Sequence, residues 1–164
     1  MFIINKIRNK YADDIVFYPE ISLKWDCDVE KEMELLETII DRNWFCSIDI
    51  CGREDTDRVQ NFKELFRKAK QKGFCLRAHV GEFGAWKNIM HVINVLELDE
   101  VNHGISICNE KSAMRYCAEQ GIWFHVCPGS NIMMGRVKNY KEHPIREMFH
   151  EGMKVTINSD DCLI

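Results

Sequence analysis

The chain has 164 residues, 46% of them hydrophobic and 29% charged, enough for one domain with a substantial core and unlike a disordered or low-complexity protein. Its net charge of -4, with acidic and basic residues interspersed, leaves no basic stripe and argues against nucleic acid as a partner. No window reaches the roughly 18 uncharged apolar residues of a membrane span, and the opening "MFIINKIRNK" breaks into charges too early for a secretion signal, so a cytoplasmic protein with no membrane partner is expected.

Strand-length apolar runs alternate with segments of helical period along the chain. The first expected strand, Ile15 to Leu23, contains Pro19, which can sit only at an edge or a start. Asp28 caps a helix with Met33, Leu36 and Ile40, joined by Leu35 and Ile39, on its apolar face. Phe45 to Ile50 is the second strand, and Val59, Phe62, Phe66 and Ala69 mark the next helix, closed by Gly73. Strand Phe74 to His79, helix Trp86 to Leu96 and strand Val101 to Gly104 follow. A helix bracketed by Asn109 and Gly121, strand Trp123 to Cys127, a helix between Pro144 and Gly152, and strand Val155 to Asn158 complete the series. Continuous apolar strands alternating with amphipathic helices imply a parallel sheet covered by helices, either an open α/β fold or a barrel. The eight cysteines contain no C-x-x-C pair and sit mostly in apolar runs, so they read as buried thiols in a reducing compartment.

In parallel α/β architectures ligands bind at the C-terminal ends of strands. Those ends carry "DICG" (Asp49, Gly52), "HVGE" (His79, Glu82), "NHG" (His103), "CPGSN" (Ser130, Asn131) and "NSDD" (Asp160, Asp161). Each taken alone is ordinary turn or capping chemistry. Five consecutive strands delivering polar and ionisable groups to one rim is not, and imidazole with carboxylate suits zinc or a similar divalent ion that activates water. Glu82, three residues beyond His79, is placed to move protons beside such a metal. His91, His125, His143 and His150 fall outside this rim and read as structural.

"HVGE", "NHG", "HVCPGSN" and "INSDD", in that order and at those separations, resemble the adenosine deaminase family of metal-dependent hydrolases from about the first strand to the last residue. The resemblance implies a (β/α)8 barrel, one zinc ion and hydrolytic removal of an amino group from a purine nucleoside substrate, most typically adenosine. It also implies His79 and Asp160 as zinc ligands, and Glu82 as the acid that protonates the purine ring nitrogen. His103 by the same resemblance holds and deprotonates the attacking water and stabilises the adduct. Asp161, the Gly52 backbone N–H and Asp49 are implied as substrate-binding groups. The chain departs from the family in reading Glu100-Val101-Asn102-His103-Gly104 for Arg-x-Gly-His-Gly, and Cys162 for the proline after the paired aspartates. The family's two other zinc ligands form a His-x-His on its first strand, and no His-x-His occurs here. Residues 1–164 are therefore expected to form one partial barrel domain of about six parallel strands, lacking the N-terminal strands and two zinc ligands. Its open edges imply self-association. Deamination of adenine or a modified purine, or a non-catalytic relic, are the alternative functions.

Overall fold

A computed structural model describes residues 6, 7, 10, 11, 13, 14, 16–42 and 44–160. Six strands, β1 (Glu20–Lys24), β2 (Ser47–Cys51), β3 (Cys75–Val80), β4 (Glu100–His103), β5 (Trp123–Val126) and β6 (Lys154–Ile157), pair in chain order. Every pairing is parallel. An order without reversal is the connectivity of a barrel, since a doubly wound sheet turns back at a switch point. The first strand is shorter than its apolar run suggests. Residues 16–19 are not strand, and pairing begins directly after Pro19, whose ring nitrogen has no hydrogen for a ladder. Pro19 O instead accepts from Cys46 N at 3.0 Å.

The helices cover one face of the sheet. α1 (Val29–Ile39) starts at Asp28, whose carboxylate accepts from Lys31 N and pairs with its ammonium at 2.8 Å. α2 (Val59–Gln71) turns Val59, Phe62, Leu65, Phe66 and Ala69 inward, all fully buried, and stops before Gly73 at φ +79°. α3 (Trp86–Leu96) buries Ile89, Val92, Ile93 and Leu96 by the same spacing. α4 (Lys111–Gln120) is capped by Glu110 rather than Asn109, because Asn109 is taken into a 3-10 turn over Ile105–Asn109. "CPGSN" forms α5 (Pro128–Met133) with proline at its first turn, a helix too short to announce itself by periodicity. α6 (Ile145–His150) follows Pro144 and ends before Gly152.

Alternation along each strand divides the sheet into two surfaces. Ile48, Ile50, Leu76, Ala78, Val101, Phe124 and Val126 face the helices and are wholly buried. The opposite, concave surface is polar. Glu20 Oε2 accepts from Ser47 Oγ and Arg77 Nη1, both at 2.9 Å, and Arg77 Nε lies 2.6 Å from Glu100 Oε2, a charge contact whose angle falls short of a hydrogen bond. Glu100 Oε2 is 2.7 Å from His125 Nε2, and His125 Nδ1 is 2.8 Å from Thr156 Oγ1. This line of partners forms the floor beneath the site. No helix among the described residues is long and apolar enough to cross a membrane.

Candidate active site

His79, His103 and Asp160 each present a ligand atom to one point at the strand ends, the three atoms lying within 4.8 Å of one another. They border an open cleft of about 630 Å³ above the polar floor, with Asn102, His125 and Cys127 on its walls. The two imidazoles are tilted at 54° with ring centroids 5.3 Å apart.

His79 sits inside β3 and is held from two sides. Its Nδ1 lies 2.9 and 3.1 Å from the two oxygens of Asp49, and its backbone carbonyl accepts from Trp25 Nε1 at 3.3 Å. Asp49 also accepts from Asn102 Nδ2 at 3.2 Å. With both neighbours donating to one carboxylate, the 3.3 Å separation between Asn102 Nδ2 and His79 Nδ1 joins two donors and is not a bond. The proton on Nδ1 leaves Nε2 with its lone pair toward the cleft, the arrangement of a carboxylate-oriented metal-binding histidine. Burial pulls the imidazole's pKa down, but the hydrogen bond and charge of Asp49, aided by Asp160, outweigh it and raise the net value.

His103 ends β4 in a left-handed conformation, φ +64°, followed by Gly104 at φ +65°. A Cβ at Gly104 would meet the Phe124 ring at 2.5 Å, so the turn needs glycine. His103 is 3% exposed, and burial holds its pKa below the usual histidine range despite Glu82 and Asp160 nearby. Its Nδ1 is 3.6 Å from Glu82 Oε1 and its Nε2 is 4.0 Å from Asp160 Oδ1. Asp160 itself lies three residues beyond β6, at φ +69° with its side chain 35% exposed. Asp161 lies outside the described residues.

Glu82 stands on the loop after β3, where Oε1 accepts from Asn131 Nδ2 at 2.8 Å and the backbone carbonyl from Arg136 Nε at 3.1 Å. Glu54 shapes that loop. Its Oε2 accepts from Gly81 N, Phe83 N and Gly84 N at 3.0, 3.3 and 3.2 Å, and a Cβ at Gly84 would collide with its Oε1.

The remaining expected residues fall in two groups. Gly52 is exposed at the end of β2, where φ +85° requires a residue without Cβ. Asp49 lies two residues inside β2 instead of at its end, and is 1% exposed behind His79. Spacing along the chain did not point to Glu54, Asn102 or His143. Glu54 stands two residues past the Gly52 of "DICG", and Asn131 lies within the quoted "HVCPGSN", the only local hints to either. The seven described cysteines are free thiols. Cys127, on the cleft wall, is pushed up to about 11 by burial and by the charges of Asp160 and Glu82, which keeps it protonated and leaves a nitrogen and oxygen donor set.

Residues 22–164 match the family model described as adenosine deaminase. The chain belongs to the adenosine deaminase family. Among curated relatives, an adenosine deaminase of Clostridium acetobutylicum is 34% identical over 141 residues, covering 85% of this chain and 42% of that protein. A putative adenosine/adenine deaminase of Treponema pallidum is 28% identical over 160 residues, covering 98% of this chain and 54% of that protein. The chain thus spans about half the length of the curated relatives it matches. An amidohydrolase of Burkholderia ambifaria, solved with bound zinc, superposes with a TM-score of 0.83 at 28% identity over 96% of this chain and 45% of that one. An adenine deaminase of Arthrobacter aurescens gives a TM-score of 0.86 at 24% identity, covering 97% of this chain and 49% of that one. The six parallel strands of this family member and the helices between them are accordingly a partial (β/α)8 barrel, with the residue cluster at the rim where such barrels place their chemistry.

Proposed function

We propose that these residues serve zinc-dependent hydrolytic deamination of a purine nucleoside, adenosine to inosine plus ammonia, as one partial barrel domain within a longer enzyme. The observation that carries the reading is the meeting of His79, His103 and Asp160 at one point with Glu82 beside them, the residues to which the family resemblance assigns the chemistry. The donor set fits zinc, which takes imidazole nitrogen and carboxylate oxygen, and His79 and Asp160 would hold it. Two further ligands would come from outside this chain, which has no His-x-His. Zinc, when bound, supplies a Lewis acid that lets water attack at neutral pH.

The protein's own groups then divide the proton transfers. Glu82 gives a proton to the ring nitrogen next to the reacting carbon, which makes that carbon electrophilic. His103, kept neutral by burial, takes a proton from the attacking water and returns it to the amino group, which leaves as ammonia. The hydroxyl left on the carbon gives its proton back to Glu82 as the carbonyl forms, so both groups are restored. Asp160 orients the water, while Asp161 and the Gly52 N–H bind the purine. Asp49, expected among the substrate-binding groups, lies buried behind His79 and would instead orient that imidazole for the metal.

The test uses the intact gene product. Ammonia release from adenosine, adenine and an N6-methylated purine nucleoside is measured for the parent and for Glu82→Gln, with zinc content determined in both. Turnover of adenosine that disappears in the variant while zinc stays supports the reading. Release from adenine or the methylated purine alone selects the second substrate class. A protein that binds purine and turns over none of the three is the non-catalytic relic.

A further inference from the structure

Asn131 and His143 lie on different elements, are 0% and 4% exposed, and touch each other directly above Glu82. Their polarity is set by the backbone. Ile145 N–H donates to His143 Nδ1 at 3.1 Å, so Nδ1 carries the lone pair and the neutral ring carries its proton on Nε2. Nε2 faces Asn131 Oδ1 at 3.3 Å, a donor toward an acceptor. The amide therefore has only one workable orientation, with Nδ2 turned to Glu82 Oε1 at 2.8 Å. Flipped, it would set oxygen against the carboxylate and N–H against N–H. The residue cannot swing away to relieve this, because Asn131 N donates to Cys127 O at 2.9 Å and its carbonyl accepts from Arg136 N and Val137 N.

We propose that Asn131 and His143 form a positioning relay that decides which oxygen of Glu82 carries the catalytic proton. This rests on the reading of Glu82 as the ring-nitrogen acid. Nδ2–H occupies a lone pair of Oε1 whether Glu82 is ionised or protonated, so the acid's proton rides on Oε2. Without the relay the proton is shared between two oxygens, only one of which meets the substrate in a productive geometry. His103 is treated differently. Its Nδ1 has Asn131 Nδ2 at 3.4 Å and Glu82 Oε1 at 3.6 Å, one donor and one acceptor, surroundings that accommodate the ring with or without a proton there. The same amide thus fixes one proton and leaves the other exchangeable. An imidazole and an amide that merely fill a buried gap would satisfy each other, yet would have no need to present a donor to Glu82.

Two measurements on the intact gene product test the relay. Imidazole nitrogen NMR is expected to show His143 as the neutral Nε2–H tautomer at pH 7. An Nδ1–H tautomer or a charged ring overturns the relay with no substitution made. In Asn131→Asp, which keeps the shape but sets a carboxylate against Oε1, kcat is expected to fall at least tenfold with KM within about twofold. Parental kcat, or a loss carried by KM with kcat intact, overturns it. Glu82→Gln separates the two readings. If that variant still turns over, the acid assignment itself fails, whereas an inactive Glu82→Gln beside a fully active Asn131→Asp removes the relay alone.

Discussion

Leu76, Ala78 and Val80 leave β3 on one side, and Cys75, Arg77 and His79 on the other. The first set is buried under α2 and α3, where each side chain contributes by its apolar area and shape. In the second set Arg77 and His79 line a half-open cleft and are held by directed partners, Arg77 by Glu20 and Glu100, His79 by Asp49. One strand therefore carries two designs at alternating positions: the helix side determines whether the chain folds, and the concave side determines what the folded chain can do. Substitutions on the two sides should separate cleanly in stability and in chemistry.

The largest effect is expected on the helix side. Phe62→Ala, removing a fully buried ring that meets Trp25 edge-on at 5.8 Å, should cost about 3–5 kcal/mol in urea unfolding. A loss under 1 kcal/mol would mean that this face is not the source of stability. On the concave side, Asp49→Asn keeps the volume and removes the charge behind His79. Zinc affinity, measured by chelator competition, should fall about 10–100-fold, with a smaller change in melting temperature than Phe62→Ala produces. A large drop in melting temperature with zinc affinity intact would break the division between the faces.

A third test uses pH. Burial holds His143 below its ordinary pKa, so the unfolded chain takes up this proton first as pH falls. The contribution of neutral His143 is fully present above the unfolded value of about 6.5 and is lost below it. His103 acts in the same direction, and His79, whose pKa is raised, in the opposite one. The difference between parent and His143→Gln isolates the single group: from pH 7 to pH 5 the parent's melting temperature should fall more steeply than the variant's. Parallel curves would show that folding leaves the His143 pKa where it stands in the unfolded chain. The smallest effect belongs to Ile157, which shares a face with buried Val126 through the β5–β6 register yet is 75% exposed. Ile157→Lys should change stability by no more than about 0.5 kcal/mol, while reducing any self-association seen by light scattering.

The same division explains what was legible in the amino-acid sequence. β2 to β6 were readable because their helix-facing residues are apolar and the runs between turns are short. The first apolar run continues across Pro19 while the strand itself begins only after it, and the six residues of α5 are too few to show a period. His79, Glu82, His103 and Asp160 were readable from their places at the strand ends. Their supports were not. Glu54 reaches a loop 27 to 30 positions away and Asn131 reaches Glu82 across 49, and no spacing rule joins residues brought together only by the tertiary fold. His143, read as structural, is indeed buried, but its partner is the amide that faces the proposed acid.

The floor of the cleft has a consequence for descent. Glu20, Arg77, Glu100, His125 and Thr156 come from five strands, and each finds its partner on another. Replacing Glu100 alone would strand a guanidinium and an imidazole at once, whereas replacing Arg77 alone would leave two carboxylates facing each other. Neutral drift across this surface is therefore barred one letter at a time, and lineages should exchange these positions as matched sets or keep them whole.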